Sequence, residues 1–174
     1  MKEYSDKLLR TPRILVTGKP GIGKTSLIKD ISKEINKIRI GGFYTEEIRR
    51  NGTRVGFKFV SFSGESRLLA SIEPIGKLKV GKYYLVESLD ILGEVKEDIM
   101  KADMIIMDEI GPMELKIGEL REIIYEGLAL EKFVLATVHR SVRLEGKLYE
   151  LDRFNTQKIK SEILQLIKEY FGSR

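Results

Sequence analysis

Residues 13–18 read RILVTG, a short apolar, β-prone run closing on glycine, which is the pattern of a buried strand. From Lys24 the period lengthens. Leu27, Ile28, Ile31, Ile35 and Ile38 recur at helical intervals and predict an amphipathic helix. IGGFYTEEI (40–48) predicts a second strand. The following segment, IRRNGTRVGFKFVSF, contains Asn51-Gly52, the pair favoured in a two-residue hairpin turn, with Phe57 and Phe59 alternating on the returning strand. RLLASI and KYYLVE read as further short strands, so 48–87 forms a β-rich insertion.

Beyond it, Ser88 is placed to cap a helix reaching to about Lys101, with Ile91, Leu92, Val95 and Ile99 facing inward. MIIMDE (104–109) is apolar until it closes on two acids. A helix over 117–128 is carried by Leu120, Ile123 and Ile124. FVLATV (133–138) and KLYEL (147–151) are the remaining strands. A last helix starts at Asn155 or Thr156 and runs through Ile159, Ile163, Leu166 and Ile167 to near Gly172. Strands alternating with helices, several of them apolar throughout, predict an α/β fold with a mainly parallel central sheet and flanking helices. The 174 residues suit one domain, 1–174.

Composition narrows the chemistry. There is no cysteine, which excludes disulfides and thiolate metal sites, and the only histidine, His139, cannot build a multi-histidine site. No apolar run reaches the roughly 20 residues of a membrane-spanning helix. MKEYSDKLLRTPR lacks the apolar stretch of a signal peptide, so a soluble cytoplasmic protein is expected. The formal charge of +5 invites a nucleic-acid reading. However, Lys and Arg are interleaved with Asp and Glu, as in KEDIMKAD and KSEILQLIKE, which is how solvated helix faces look. The scarcity of amides, three Asn and two Gln, is a bias of proteins from hot habitats.

The chemistry lies in GKPGIGKTS (18–26). Gly18, Lys19, Pro20, Gly21, Ile22, Gly23, Lys24 and Thr25 satisfy G-x-x-x-x-G-K-[ST] in full, between a predicted strand and a predicted helix, with Ser26 following. The glycines permit positive φ and keep side chains away from the amides. Those amides and the helix N-terminus turn partial positive charge toward an anion. Lys24 is placed for the β and γ phosphates of a nucleotide, and the Thr25 hydroxyl for Mg²⁺.

MIIMDE supplies the acids. Asp108, at the end of a strand beside that of the loop, suits the metal. Glu109, one position on, suits the orientation and deprotonation of a water attacking the γ-phosphorus. Glu114 in GPMEL reads equally well as a polar site edge or a structural salt bridge. Thr137 is placed to sense the γ-phosphate, and His139 reads more readily as a loop residue than a catalyst. Arg49, Arg50, Arg140, Arg143 and Arg153 are the candidates for neutralising transition-state charge.

GKPGIGKT, GGFYTEEIR with its following GF, VGKYYL and above all DEIGPMEL resemble the small nucleoside-triphosphatase family described from thermophiles, whose human member is called cancer-related nucleoside-triphosphatase. The resemblance runs from about Arg13 to Phe171. It implies a RecA-like P-loop domain of the class with an added strand and a catalytic glutamate. It also implies slow, Mg²⁺-dependent hydrolysis of nucleoside triphosphates with broad base tolerance. By position, Gly18 through Thr25 match the family's phosphate loop, and Asp108 and Glu109 its metal and water acids. Thr45, Glu46, Glu47 and Arg49 match its second motif, at the border of the site. The family often carries Asn-Arg before the last helix, where this chain has Asn155-Thr156, so that arginine of the family has no match at this position.

The leading expectation is therefore hydrolysis of ATP, GTP, CTP and UTP to diphosphate and phosphate by a monomer or weak oligomer. The tolerance fits the lack of an N-K-x-D guanine motif, since Asn36-Lys37 is followed by Ile38-Arg39. Two alternatives share the loop. A small-molecule or polynucleotide kinase would need an acceptor pocket. A nucleotide-regulated RNA- or DNA-binding ATPase would need a basic face that the dispersed charges do not form.

Overall fold

β1 (Arg13–Gly18) forms where the apolar run ends on glycine, and α1 (Lys24–Glu34) follows with Leu27, Ile28 and Ile31 buried. The computed structural model describes residues 11–172; Met1–Arg10, most of the stretch read above for a targeting segment, lies outside the described residues. β2 (Ile40–Arg50) turns into β3 (Thr53–Ser61) through Asn51 and Gly52, both at positive φ (52° and 78°), as the predicted hairpin requires. β4 (Ser66–Ser71), β5 (Lys79–Val80) and β6 (Tyr83–Leu85) complete the β-rich segment.

The next helix, α2, covers Leu92–Lys101 and starts later than Ser88. No side chain caps it; Leu89 and Ile91 instead bury themselves ahead of the first turn. β7 (Met104–Ile110) leads into α3 (Pro112–Lys116), a helix the periodicity did not reveal because five residues make little more than one turn. α4 (Gly118–Ala129), β8 (Phe133–Val138), β9 (Lys147–Leu151) and α5 (Thr156–Gly172) follow as expected.

Among the described residues nine strands join one sheet in the order β5-β6-β4-β3-β2-β7-β8-β1-β9. The strands β9, β1, β8, β7 and β2 pair in parallel. From β2 outward, β3, β4, β6 and β5 pair antiparallel. The sheet as a whole is thus mixed, and the expectation of a mainly parallel sheet holds only for its five-stranded part. The reason is the 48–87 segment: its hairpins extend the sheet, and a tight turn can join only antiparallel neighbours.

Alternation along the parallel strands divides the core between two faces. Leu15, Ile105, Met107, Val134 and Ala136 face the layer covered by α2 and α4. Ile14, Val16, Ile106, Phe133 and Leu135 face the layer covered by α1 and α5. Phe133, fully buried, meets the rings of Tyr170 and Phe171 at 5.4 and 5.8 Å. Burying a side chain of that size contributes about 1.5–3 kcal/mol. The parallel strands therefore lie in a frame packed on both sides, and the loops at their C-terminal ends are held by it. Among the described residues no helix is long and apolar enough to cross a membrane.

Candidate functional site

At the C-terminal end of β1 the backbone passes through Gly18, Gly21 and Gly23, all at positive φ (155°, 78° and 108°), and enters α1 at Lys24. No side chain caps α1, so its first N–H groups are left for a ligand, at the positive end of the helix dipole. Pro20, Gly21, Gly23, Lys24, Thr25 and Ser26 line one end of a cavity of about 650 Å³. The other predicted loop residues serve the loop itself. Gly18 offers its carbonyl to Lys24 Nζ at 3.0 Å, the Lys19 carbonyl accepts from the Ile22 amide, and the Ile22 side chain packs on the core beneath.

β7 brings the two acids to the same cavity. It is not the immediate neighbour of β1, as first read, because β8 lies between them. Thr137 on β8 spans that gap, donating from Oγ1 to Asp108 Oδ1 at 2.5 Å, with both residues buried. Burial pushes the Asp108 carboxyl up to about 6, against the hydroxyls of Thr137 and nearby Thr25, which favour its charged form. The other oxygen, Oδ2, is buried and finds no donor among the described residues. A donorless carboxylate oxygen beside a threonine hydroxyl, at the mouth of an anion cradle, suits a hard divalent cation. Among the described residues no three His, Cys, Asp or Glu side chains form a metal cage. Phosphate oxygens and water would have to complete its coordination.

Glu109 stands opposite the lysine, with Oε2 3.3 Å from Lys24 Nζ. Behind it, Gly111 leaves room for two carboxylates at once. A β-carbon there would lie 2.9 Å from Glu109 Oε1 and 3.3 Å from Glu114 Oε2. Glu114, at the third position of α3, accepts the backbone N–H of Gly111, which is half of a capping box. It lines the cavity and is buried, so it is both a site edge and a structural cap.

Burial and then the charge of Glu109 push the Glu114 carboxyl up to about 8. The folded protein thus holds this proton more tightly than the unfolded chain, whose glutamates titrate near 4.5. The stability it contributes is complete below that value and is lost as pH rises toward 8. Glu114→Gln, which keeps the acceptor without the charge, is expected to melt close to wild type at pH 5 and several degrees above it at pH 9. Thermal unfolding across that range checks this, and a constant difference would refute it.

Thr45, Glu46 and Glu47 on β2 line the cavity, whereas Arg49 does not. Arg49 Nη2 lies 2.7 Å from Glu47 Oε2, and Nη1 donates to the Gly52 carbonyl. Arg50, Arg140, Arg143 and Arg153 are also absent from the lining, and His139 is present, its Nδ1 2.7 Å from Ser141 Oγ. The arginine that reaches the cavity is Arg54, which the sequence reading missed, together with Lys29, Phe57, Val80, Tyr83, Pro112 and Met113. No sequence signal could have found it, since strict alternation puts Arg54 and Phe57 on opposite faces of β3.

A glycine loop feeding a helix N-terminus, with a buried aspartate and a half-buried glutamate at the tip of a nearby parallel strand, defines a P-loop α/β NTPase. Residues 13–164 match the sequence model of the family described as NTPase. The chain belongs to that family. It is 49% identical over 162 residues to nucleoside-triphosphatase THEP1 of Metallosphaera sedula, covering 93% of this chain and 90% of that one. It is 39% identical to the protein of the same name from Methanocaldococcus jannaschii, covering 89% and 96% of the two. Among solved structures, THEP1 of the hyperthermophile Aquifex aeolicus superposes with a TM-score of 0.73 at 32% identity, covering 90% of this chain and 99% of that one. A human cancer-related nucleoside triphosphatase does so at 0.72 and 25% identity, covering 91% and 98%.

Proposed function

We propose that the chain hydrolyses nucleoside 5′-triphosphates, ATP, GTP, CTP and UTP alike, to diphosphate and phosphate with Mg²⁺. Residues 1–174 act as one RecA-like P-loop domain of the catalytic-glutamate class. The observation that carries this reading is the 3.3 Å approach of Glu109 Oε2 to Lys24 Nζ at the mouth of the loop. A lysine there binds the β and γ phosphates, so a carboxylate beside it borders the γ-phosphorus.

The loop amides and the N-terminus of α1 take the phosphate oxygens. Lys24 exchanges Glu109 for the β and γ oxygens, and this frees the carboxylate. Glu109 then accepts the proton of a water in line with the γ-phosphorus as the bond to the bridging oxygen breaks. Lys24 offsets the charge left on the diphosphate. Thr25 and Asp108 would hold the Mg²⁺, which neutralises phosphate oxygens when bound. Thr137 fixes Asp108 for that purpose. Thr45, Glu46 and Glu47 border the attacking side. The substrate is free nucleotide, handled by a monomer or weak oligomer, and a nucleic-acid partner is not favoured.

Release of phosphate from each of the four nucleotides, with Mg²⁺ and with excess EDTA, tests the reading. Release from all four that disappears with EDTA is the expected result. Tight nucleotide binding with no release from any would overturn hydrolysis, and undiminished release in EDTA would overturn the metal role.

A further inference from the structure

The cavity continues well past the acids. Beyond Glu109 and Met113 it runs onto the antiparallel strands, where Arg54, Phe57, Val80 and Tyr83 wall a second arm. The Phe57 and Tyr83 rings meet edge to face at 5.2 Å. The Arg54 guanidinium lies over both, 5.3 and 5.8 Å from their centroids. It is fixed by donating to Tyr83 Oη at 2.9 Å and to Glu47 Oε1 at 3.2 Å.

Displacement at the γ-phosphorus is in line, so the attacking oxygen enters on the side away from the leaving diphosphate. Glu109 marks that side: along the sheet its strand β7 lies between β1, which carries the loop, and β3, β6 and β5, which carry the arm. A water molecule occupies about 30 Å³ and gains nothing from an aromatic wall. Apolar and aromatic walls with a few fixed polar groups are the make-up of a small-molecule site. The charges bear on which molecule fits. Lys29 is matched by Glu46, and Arg49 and Arg54 by Glu47; once Lys24 has turned from Glu109 to the phosphates, Glu109 is left without a cation at the arm's mouth. A phosphorylated or carboxylated acceptor would meet like charge there, whereas a neutral one would not.

We propose that this arm seats a neutral, hydroxyl-bearing planar heterocycle of the nucleoside class, which takes the γ-phosphoryl group in place of water. The proposal rests on Glu109 being the proton acceptor of the hydrolytic reading. The acceptor's hydroxyl oxygen bonds to the γ-phosphorus and its proton passes to Glu109. The bond to the bridging oxygen breaks with its electron pair on the departing diphosphate. The heterocycle packs against Phe57, Tyr83 and Val80, and Arg54 and Glu47 meet its polar edge.

The test supplies ATP labelled at the γ-phosphate with adenosine, guanosine, cytidine or uridine at millimolar concentration, and separates labelled nucleoside monophosphate from labelled phosphate. Label is expected in the monophosphate of at least one nucleoside. The ratio of transferred to released label is expected to fall at least tenfold in Arg54→Ala and in Val80→Trp, which strips and narrows the arm respectively. Two variants guard against one failing to fold. Free phosphate with no labelled monophosphate from any nucleoside would overturn the arm and leave hydrolysis standing. Labelled monophosphate without free phosphate would support the arm and overturn hydrolysis. A ratio unchanged in both variants would also overturn the arm.

Discussion

Glu109→Gln is expected to slow phosphate release by about two to four orders of magnitude while the protein still binds nucleotide. Glutamine keeps the size and hydrogen-bonding reach of the side chain and removes its ability to accept a proton. The direction of the binding change separates this from general damage. Without ligand, Glu109 is the ion-pair partner of Lys24, and a triphosphate must displace it. Removing that competitor is expected to tighten nucleotide binding by roughly two- to five-fold, the scale of a partly exposed ion pair. Calorimetric titration alongside the phosphate assay reads both effects. A variant that keeps its turnover would show that another group activates the water, and weakened binding would point to a disturbed loop.

The largest effect on stability is expected at Gly42, which lines no part of the cavity. Gly42 has φ 132° and pairs with Ile106 where β2 meets β7. A β-carbon added to it would fall on the Ile106 backbone carbonyl and could not be accommodated by moving a side chain. Gly42→Ala combines this clash with an unfavourable backbone conformation and is expected to cost about 3 kcal/mol or more, roughly ten degrees in melting temperature. Gly21→Ala is the control. It shares the positive φ (78°), but nothing lies within 4 Å of its β-carbon position, and it is expected to cost only about 1–2 kcal/mol. Equal losses in denaturant unfolding would remove the packing argument. Two residues beyond Gly42, Tyr44 pairs with Asp108, so the same substitution is expected to reduce activity by displacing the acid.

What could be read in advance was the local chemistry. Gly18 to Thr25 and Asp108-Glu109 are each a few consecutive residues whose order alone implies a turn or a strand tip, and both sit in one cavity. Arg54, Phe57 and Tyr83 were illegible because their meeting depends on register. β2 and β3 slip between Ile48 and Arg49, and β3 and β4 slip between Phe57 and Lys58. Alternation predicts which face a residue takes, and each such irregularity resets it. Arg49 shows the other side of the same problem. Read as a site residue from its neighbours, it is spent on Glu47 and the Gly52 carbonyl. The short helix α3 was missed for want of length, although Pro112 at its start and Glu114 at its third position are helix-start signals.

The strand order has a consequence for the way the protein is made. β1 carries the phosphate loop and leaves the ribosome well before both its hydrogen-bonded neighbours, β8 and β9, which come much later in the chain. Until residue 151 has left the ribosome, the loop's strand has no complete set of partners, and the earlier hairpins β2–β4 must pair without it. The loop's frame is therefore complete only once β9 has been made. A translation product stopped short of β9 would be left holding its loop sequence without a frame to shape it.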